Sequence, residues 1–162
     1  MMDFCERVLR RMVLLSAGIA GLGLLTMMLV TCADVILRAC GHPLRGAYDL
    51  VKIAAGLTVA CGLPYTTAVK GHVAVEFFFH RLGQQGRVAV DTLIRLLIMA
   101  LFSLFTLELV RYGTGLRKSG EVSMTLQLPV FWVPYVMAFA CVVVVLVTLY
   151  HLFHPGKALL KP

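Results

Sequence analysis

The chain has 162 residues and a mass of 17.8 kDa; 60% of its positions are hydrophobic, 14% are charged and its mean hydropathy is +0.90, against about 25% charged residues in soluble domains. One small globule cannot hide that much apolar surface, which excludes an ordinary soluble domain and makes lipid the expected solvent. Fifteen Lys and Arg against eight Asp and Glu leave a net charge of +7, which in so apolar a chain points to cytoplasmic loops and anionic headgroups rather than to nucleic acid.

At about 20 residues per membrane-spanning helix, the length allows four spans with short connections and no separate extramembrane domain. The first uncharged run, 12–33, holds 22 residues between Arg10-Arg11 and Asp34, long enough to cross the hydrocarbon, so a span is expected over about 12–34. It exceeds the roughly 7 to 15 apolar residues of a signal peptide. Leu29-Val30-Thr31-Cys32 matches a lipoprotein cleavage box poorly, because Thr stands before the Cys. The second run, 53–69, has 17 uncharged residues between Lys52 and Lys70. Extended back through Gly46-Ala47-Tyr48, it predicts a helix over about 47–69, with Pro64 near its far end.

The third uncharged stretch, 96–107, counts only 12 residues, too few alone. Its flanks decide the matter: Asp91 and Arg95 are spaced i,i+4 and Glu108 and Arg111 i,i+3, so a helix over about 88–112 carries a neutralising pair at each interface. The fourth run, 122–150, has 29 uncharged residues, more than a bilayer needs. Pro129 and Pro134 suit a first turn, which places the span over about 129–152, with Trp132, Tyr135, Tyr150 and His151 at the interfaces. The expected fold is therefore all-α: a single integral membrane bundle of four transmembrane helices with short loops. With the termini on one side, that side holds nine Lys and Arg and the other six, so both termini are expected in the cytoplasm.

Five cysteines, at 5, 32, 40, 61 and 141, form no CxxC, and 61 and 141 fall inside spans as small apolar fillers. Haem would need histidines projecting into the bundle; the five histidines lie at span ends or in loops. His72, Glu76 and His80, spaced four apart, have metal-like spacing on a helix. The apolar residues between them fit an interfacial amphipathic segment with those three as its polar stripe. No acidic residue stands alone in mid-span, and no pair of Gly/Pro-interrupted half-helices marks a transporter's own substrate site. Ala17 with Gly21 and Gly56 with Ala60 have small-residue spacing suited to close helix contact.

The polar punctuation is more specific than the apolar runs. Asp34-Val35-Ile36-Leu37-Arg38 closes the first helix and Pro43-Leu44-Arg45-Gly46-Ala47-Tyr48-Asp49-Leu50 opens the second. Gly62-Leu63-Pro64-Tyr65 and Gly71-His72-Val73-Ala74-Val75-Glu76 follow, and Ser123-Met124-Thr125-Leu126-Gln127-Leu128-Pro129-Val130-Phe131-Trp132 comes late. This ordered set, over roughly 13–153, resembles the small membrane subunit of tripartite ATP-independent periplasmic (TRAP) transporters. Asp49 stands where that family more often has Glu, and Glu76 where it more often has Asp; both keep the charge.

The resemblance implies a bacterial inner-membrane system in which a periplasmic substrate-binding protein delivers an organic acid to a large TRAP membrane subunit, which carries it inward on a sodium gradient. It implies a non-enzymatic scaffold role for the small subunit, with no cofactor of its own and sodium coupling in the large subunit. Carried over residue by residue, Asp34, Arg38, Gly46 and Asp49 form a periplasmic-rim cluster, and Gly71, His72 and Glu76 a cytoplasmic-rim turn and cap. Arg45, Arg117 and Lys118 are then exposed to an acidic partner, or the rim charges set topology alone. The competing reading is a stand-alone small membrane protein with a metal or redox role. The solute, the stoichiometry and the helix that faces the large subunit are not encoded in this chain's motifs.

Overall fold

The computed structural model describes residues 2–69 and 84–153. Four helices carry the chain: α1 (Met2–Ala39), α2 (Ala47–Ala68), α3 (Gln84–Ser119) and α4 (Trp132–Phe153). Each is long and apolar enough to cross a membrane. The one strand-like feature among the described residues is an isolated bridge between Val122 and Pro129. The fold is all-α, as composition and periodicity predict. The expected amphipathic segment, with Gly71, His72, Glu76 and His80, lies outside the described residues.

The helices run longer than the apolar runs that announce them. α1 has 38 residues and α3 has 36, about 57 and 54 Å at 1.5 Å per residue, against a hydrocarbon core of about 30 Å. An apolar run marks only the part of a helix that lipid demands. The charged residues of the flanks, Arg7, Arg10 and Arg11 before α1's run and Arg111, Arg117 and Lys118 after α3's, are good helix formers in water or headgroups and let the helix continue. Termination is instead local: after α1, Gly41 (φ 81°) takes the left-handed conformation. The amides of Gly41 and His42 there donate to the carbonyls of Arg38 and Leu37 at 3.1 and 2.9 Å, a Schellman stop. α3 stops the same way at Gly120, with the Glu121 amide on the Leu116 carbonyl. Pro129 is not in the first turn of α4, as expected from its spacing, but in the preceding loop; the helix begins at Trp132 and takes only Pro134 into its first turn.

The helices pack in the order α1, α2, α4, α3. Each hairpin, α1 with α2 and α3 with α4, is antiparallel, while α2 and α4 run parallel across the centre, Ala60 meeting Ala140 and Ala68 meeting Val143 and Val147. α4 is the centre. Ala138, Ala140, Cys141, Val143, Val144 and Val147 along it are all buried. One core cluster joins Val13 of α1, Ala68 of α2 and Val143 and Val147 of α4, and a second joins Ala60 and Cys61 to Ala140. α3 packs on α4 alone to any extent, with Gly113 against the Tyr135 ring. At the end bearing the start of α1, the Arg95 guanidinium of α3 donates to the His151 carbonyl in the last turn of α4. There too the Tyr150 hydroxyl donates to Glu6 Oε2 at 3.2 Å.

The close approach of α1 and α2 falls at Gly23, not at Gly21. A Cβ on Gly23 would strike Thr58 Oγ1 and lie 3.2 Å from the Ala54 carbonyl oxygen, whereas Gly21 has nothing within 4 Å. Gly56 also meets only the Met137 sulfur, at 3.9 Å. Gly23→Leu is therefore expected to lower the apparent melting temperature of the purified protein in detergent, at an overpacking cost of about 1–3 kcal/mol. Gly21→Leu enters open space and is expected to leave it unchanged or slightly raised, since leucine is the better helix former.

Candidate functional site

Among the described residues, the expected rim cluster of Asp34, Arg38, Gly46 and Asp49 gathers at one end of the molecule, where the α1–α2 turn meets the α3–α4 loop. Asp34, one turn before the end of α1, uses both carboxylate oxygens. Oδ2 accepts from Arg38 Nη2 at 2.8 Å and Oδ1 accepts from the Leu44 amide at 3.0 Å, across the turn. The two bonds are not equal in weight. The Arg38 side chain is 71% exposed, and an exposed i,i+4 pair contributes about 0.3–0.5 kcal/mol. A backbone amide on a carboxylate contributes about 1.5–3 kcal/mol. Asp34 thus serves chiefly to close the hairpin.

Gly46 starts α2 with φ 88° and ψ 2°, without a side-chain cap. Two constraints meet there. The left-handed conformation disfavours any Cβ, and the Leu126 side chain of the other loop lies against the bare α-carbon, so that a Cβ would come within 2.6 and 2.8 Å of Leu126 Cδ2 and Cδ1. Three residues later, Asp49 is buried at 6% exposure. Its Oδ2 accepts the amides of Thr125 and Leu126 at 2.8 and 3.2 Å. The carboxylate of one hairpin thereby satisfies the half-buried backbone of the other, as hydrogen bonds to a charged group do more strongly than neutral ones.

The receiving loop is shaped for this contact. The Ser123 amide donates to the Leu128 carbonyl at 2.9 Å, and the Gln127 amide to the Ser123 carbonyl at 3.1 Å. The Leu128 amide donates to Ser123 Oγ at 3.3 Å, and Gln127 takes a positive φ of 52°. These bonds turn the amides of Thr125 and Leu126 toward α2. The structure therefore joins Asp34 with Arg38 and Gly46 with Asp49, but Asp34 and Asp49 face different loops rather than each other. Arg45, Arg117 and Lys118 stand exposed on the same rim. Ser123, Thr125 and Leu126, the partners of the predicted cluster, belong to the late motif that carries the resemblance, which implies no role for them. Their signal is a polar tract interrupting an otherwise apolar run.

The residues of this rim all fall inside the segment that matches the family model for the DctQ component of tripartite ATP-independent periplasmic transporters, residues 27–156. The chain belongs to the DctQ family. This is a family of transporter components rather than of enzymes, and its members are small membrane subunits working beside a large subunit and a binding protein. No curated protein and no solved structure matches the chain. Family membership and four apolar membrane-crossing helices make the DctQ chain a multi-pass membrane protein. Its described cysteines Cys61 and Cys141 are buried and Cys32 and Cys40 exposed, all unpaired. Among the described residues no three His, Cys, Asp or Glu side chains converge as a metal site.

Asp49→Ala is expected to lower the unfolding temperature, leaving two amides without their acceptor, and Asp49→Asn to lower it less, because its carbonyl still accepts. Asp34→Ala should cost more than Arg38→Ala. Gly46→Ala should be rescued only in part by Leu126→Ala, which removes the clash but not the strained φ. Thermal unfolding of the detergent-solubilised variants measures all of these.

Proposed function

We propose that the chain is the scaffold subunit against which a large TRAP membrane subunit is braced while that subunit moves an organic acid inward on a sodium gradient. A periplasmic binding protein delivers the solute, and solute and sodium are handled in the large subunit. The assembly resides in the bacterial inner membrane, with the start of α1 on the cytoplasmic side and the loop rim in the periplasm.

The observation that carries this reading is α3. Its most apolar stretch has no residue buried by the rest of the chain; Leu93, Leu97, Leu101 and Leu104 are exposed at a spacing that lines one helical face. α1, α2 and α4 supply a packed core without it, and α3 is left with a face for a second membrane protein. On the rim, Arg45 and the last-turn Arg117 and Lys118 supply positive charge for an acidic surface on the binding protein. The loop beneath them is held by Asp49 and needs little ordering on encounter.

Gentle-detergent purification of the tagged chain from its host is expected to bring down a much larger multi-span protein in fixed ratio. A photoreactive residue at Leu97 or Leu101 should cross-link to it. A chain recovered alone, stable and monodisperse, would overturn the scaffold role. Charge reversal of Arg117 and Lys118 is expected to reduce solute uptake severalfold with normal expression, and more at low than at high ionic strength, because the encounter is electrostatic. Unchanged uptake would restrict these charges to setting topology.

A further inference from the structure

A cleft of about 390 Å³ runs between the first half of α2 and the last half of α3, floored by α4. The volume falls in the range of about 300–1,000 Å³ that small-molecule sites occupy. It exists because α2 and α3 both pack on α4 without packing substantially on one another. Its depth is apolar, formed by Ile53, Leu109, Val133 and Met137. At the end near the loop its lining turns polar, with Lys52 from the second turn of α2 and Glu121 from the start of the α3–α4 loop. Asp49 also lines it, with its carboxylate held by the amides of Thr125 and Leu126. Lys52 and Glu121 are different: among the described residues neither side chain has a hydrogen bond or an ion pair, although both charges border one cavity. Tyr48 and Tyr112, 74% and 61% exposed, also line it and are the residue type that sits at headgroup level.

An apolar trough at membrane depth offers water few partners, and its polar end carries, besides the Asp49 carboxylate already engaged by two amides, one separated cation and one anion. Those are the complements of a zwitterion with an apolar tail. We propose that the cleft holds one phospholipid with an amine-bearing headgroup: an acyl chain lies between α2 and α3, the phosphate meets the Lys52 ammonium, and the headgroup ammonium meets the Glu121 carboxylate. The lysine stem follows the apolar wall while its head stays at the interface. This site does not depend on the transport reading, since it is built within the chain and filled from the bilayer.

The test is native mass spectrometry of the full chain, reconstituted in vesicles of phosphatidylethanolamine and phosphatidylglycerol and released in mild detergent. One retained phospholipid per chain is expected, enriched in phosphatidylethanolamine over the vesicle composition. Lys52→Met should lower the retained fraction about fivefold, the weight of one lysine at an anionic surface, while Lys52→Arg retains it. Glu121→Gln should remove the enrichment and keep the lipid. Unfolding temperatures equal to that of the wild type establish that the variants are folded. Lipids retained in the proportions of the vesicle, or equally by wild type and Lys52→Met, overturn the proposal. So does a photoreactive residue at Leu109 that captures a helix of a co-purified large subunit instead of lipid.

Discussion

The arrangement of the loop rim depends on one carboxylate. Asp49 sits in the first turn of α2, is buried, and spends an oxygen on two amides of a loop more than seventy residues away. Without an acceptor there, the half-buried amides of Thr125 and Leu126 would lose the group that orders their loop. With it, α2 and the α3–α4 loop become one surface, and Leu126 can close over Gly46. The glycine and the aspartate belong to one device: the first lets the other loop come close, and the second holds it there. Helix packing joins the two hairpins through α4; this contact sets how their exposed ends stand to one another.

What the sequence revealed and what it concealed divide along physical lines. Apolar runs disclose spans because lipid tolerates nothing else, and the charge pairs flanking the third run made a helix of a stretch too short by count. The pairing of Asp34 with Arg38 was legible because helix geometry alone brings i and i+4 together. Helix ends were not, because hydropathy has no opinion about a charged helix outside the hydrocarbon; only the left-handed glycines at 41 and 120 mark the stops. Nor was the inward face of α1. An apolar helix has no polar side to betray its orientation, so Gly21 and Gly23 look alike until Thr58 is seen against one of them. Asp49 read as a member of a hairpin cluster because its true partners are main-chain amides, which carry no residue signature.

The packing order gives the subunit two unlike halves. α1, α2 and α4 share the clusters around Val143, Val147 and Ala140, where small and β-branched side chains let the helices approach and restrict their rotamers. α3 packs along α4 through a half-buried stripe that includes Ile98, Phe102, Thr106 and Leu109, with Arg95 on the His151 carbonyl and Gly113 against Tyr135 beyond it, and leaves its opposite apolar face uncovered. Such a helix is well placed to be gripped from outside, since a partner packing on it displaces lipid rather than native contacts.

The middle of every described helix is free of charge: the ionisable pairs stand toward the ends, and the uncharged runs fill the hydrocarbon. An electrical consequence follows. A membrane potential acts on a protein by about 2.3 kcal/mol per elementary charge carried across 100 mV, and a chain with no charge to carry feels almost none of it. Its shape should be the same in an energised and a de-energised membrane, which gives any moving neighbour a fixed reference that the driving force itself does not displace.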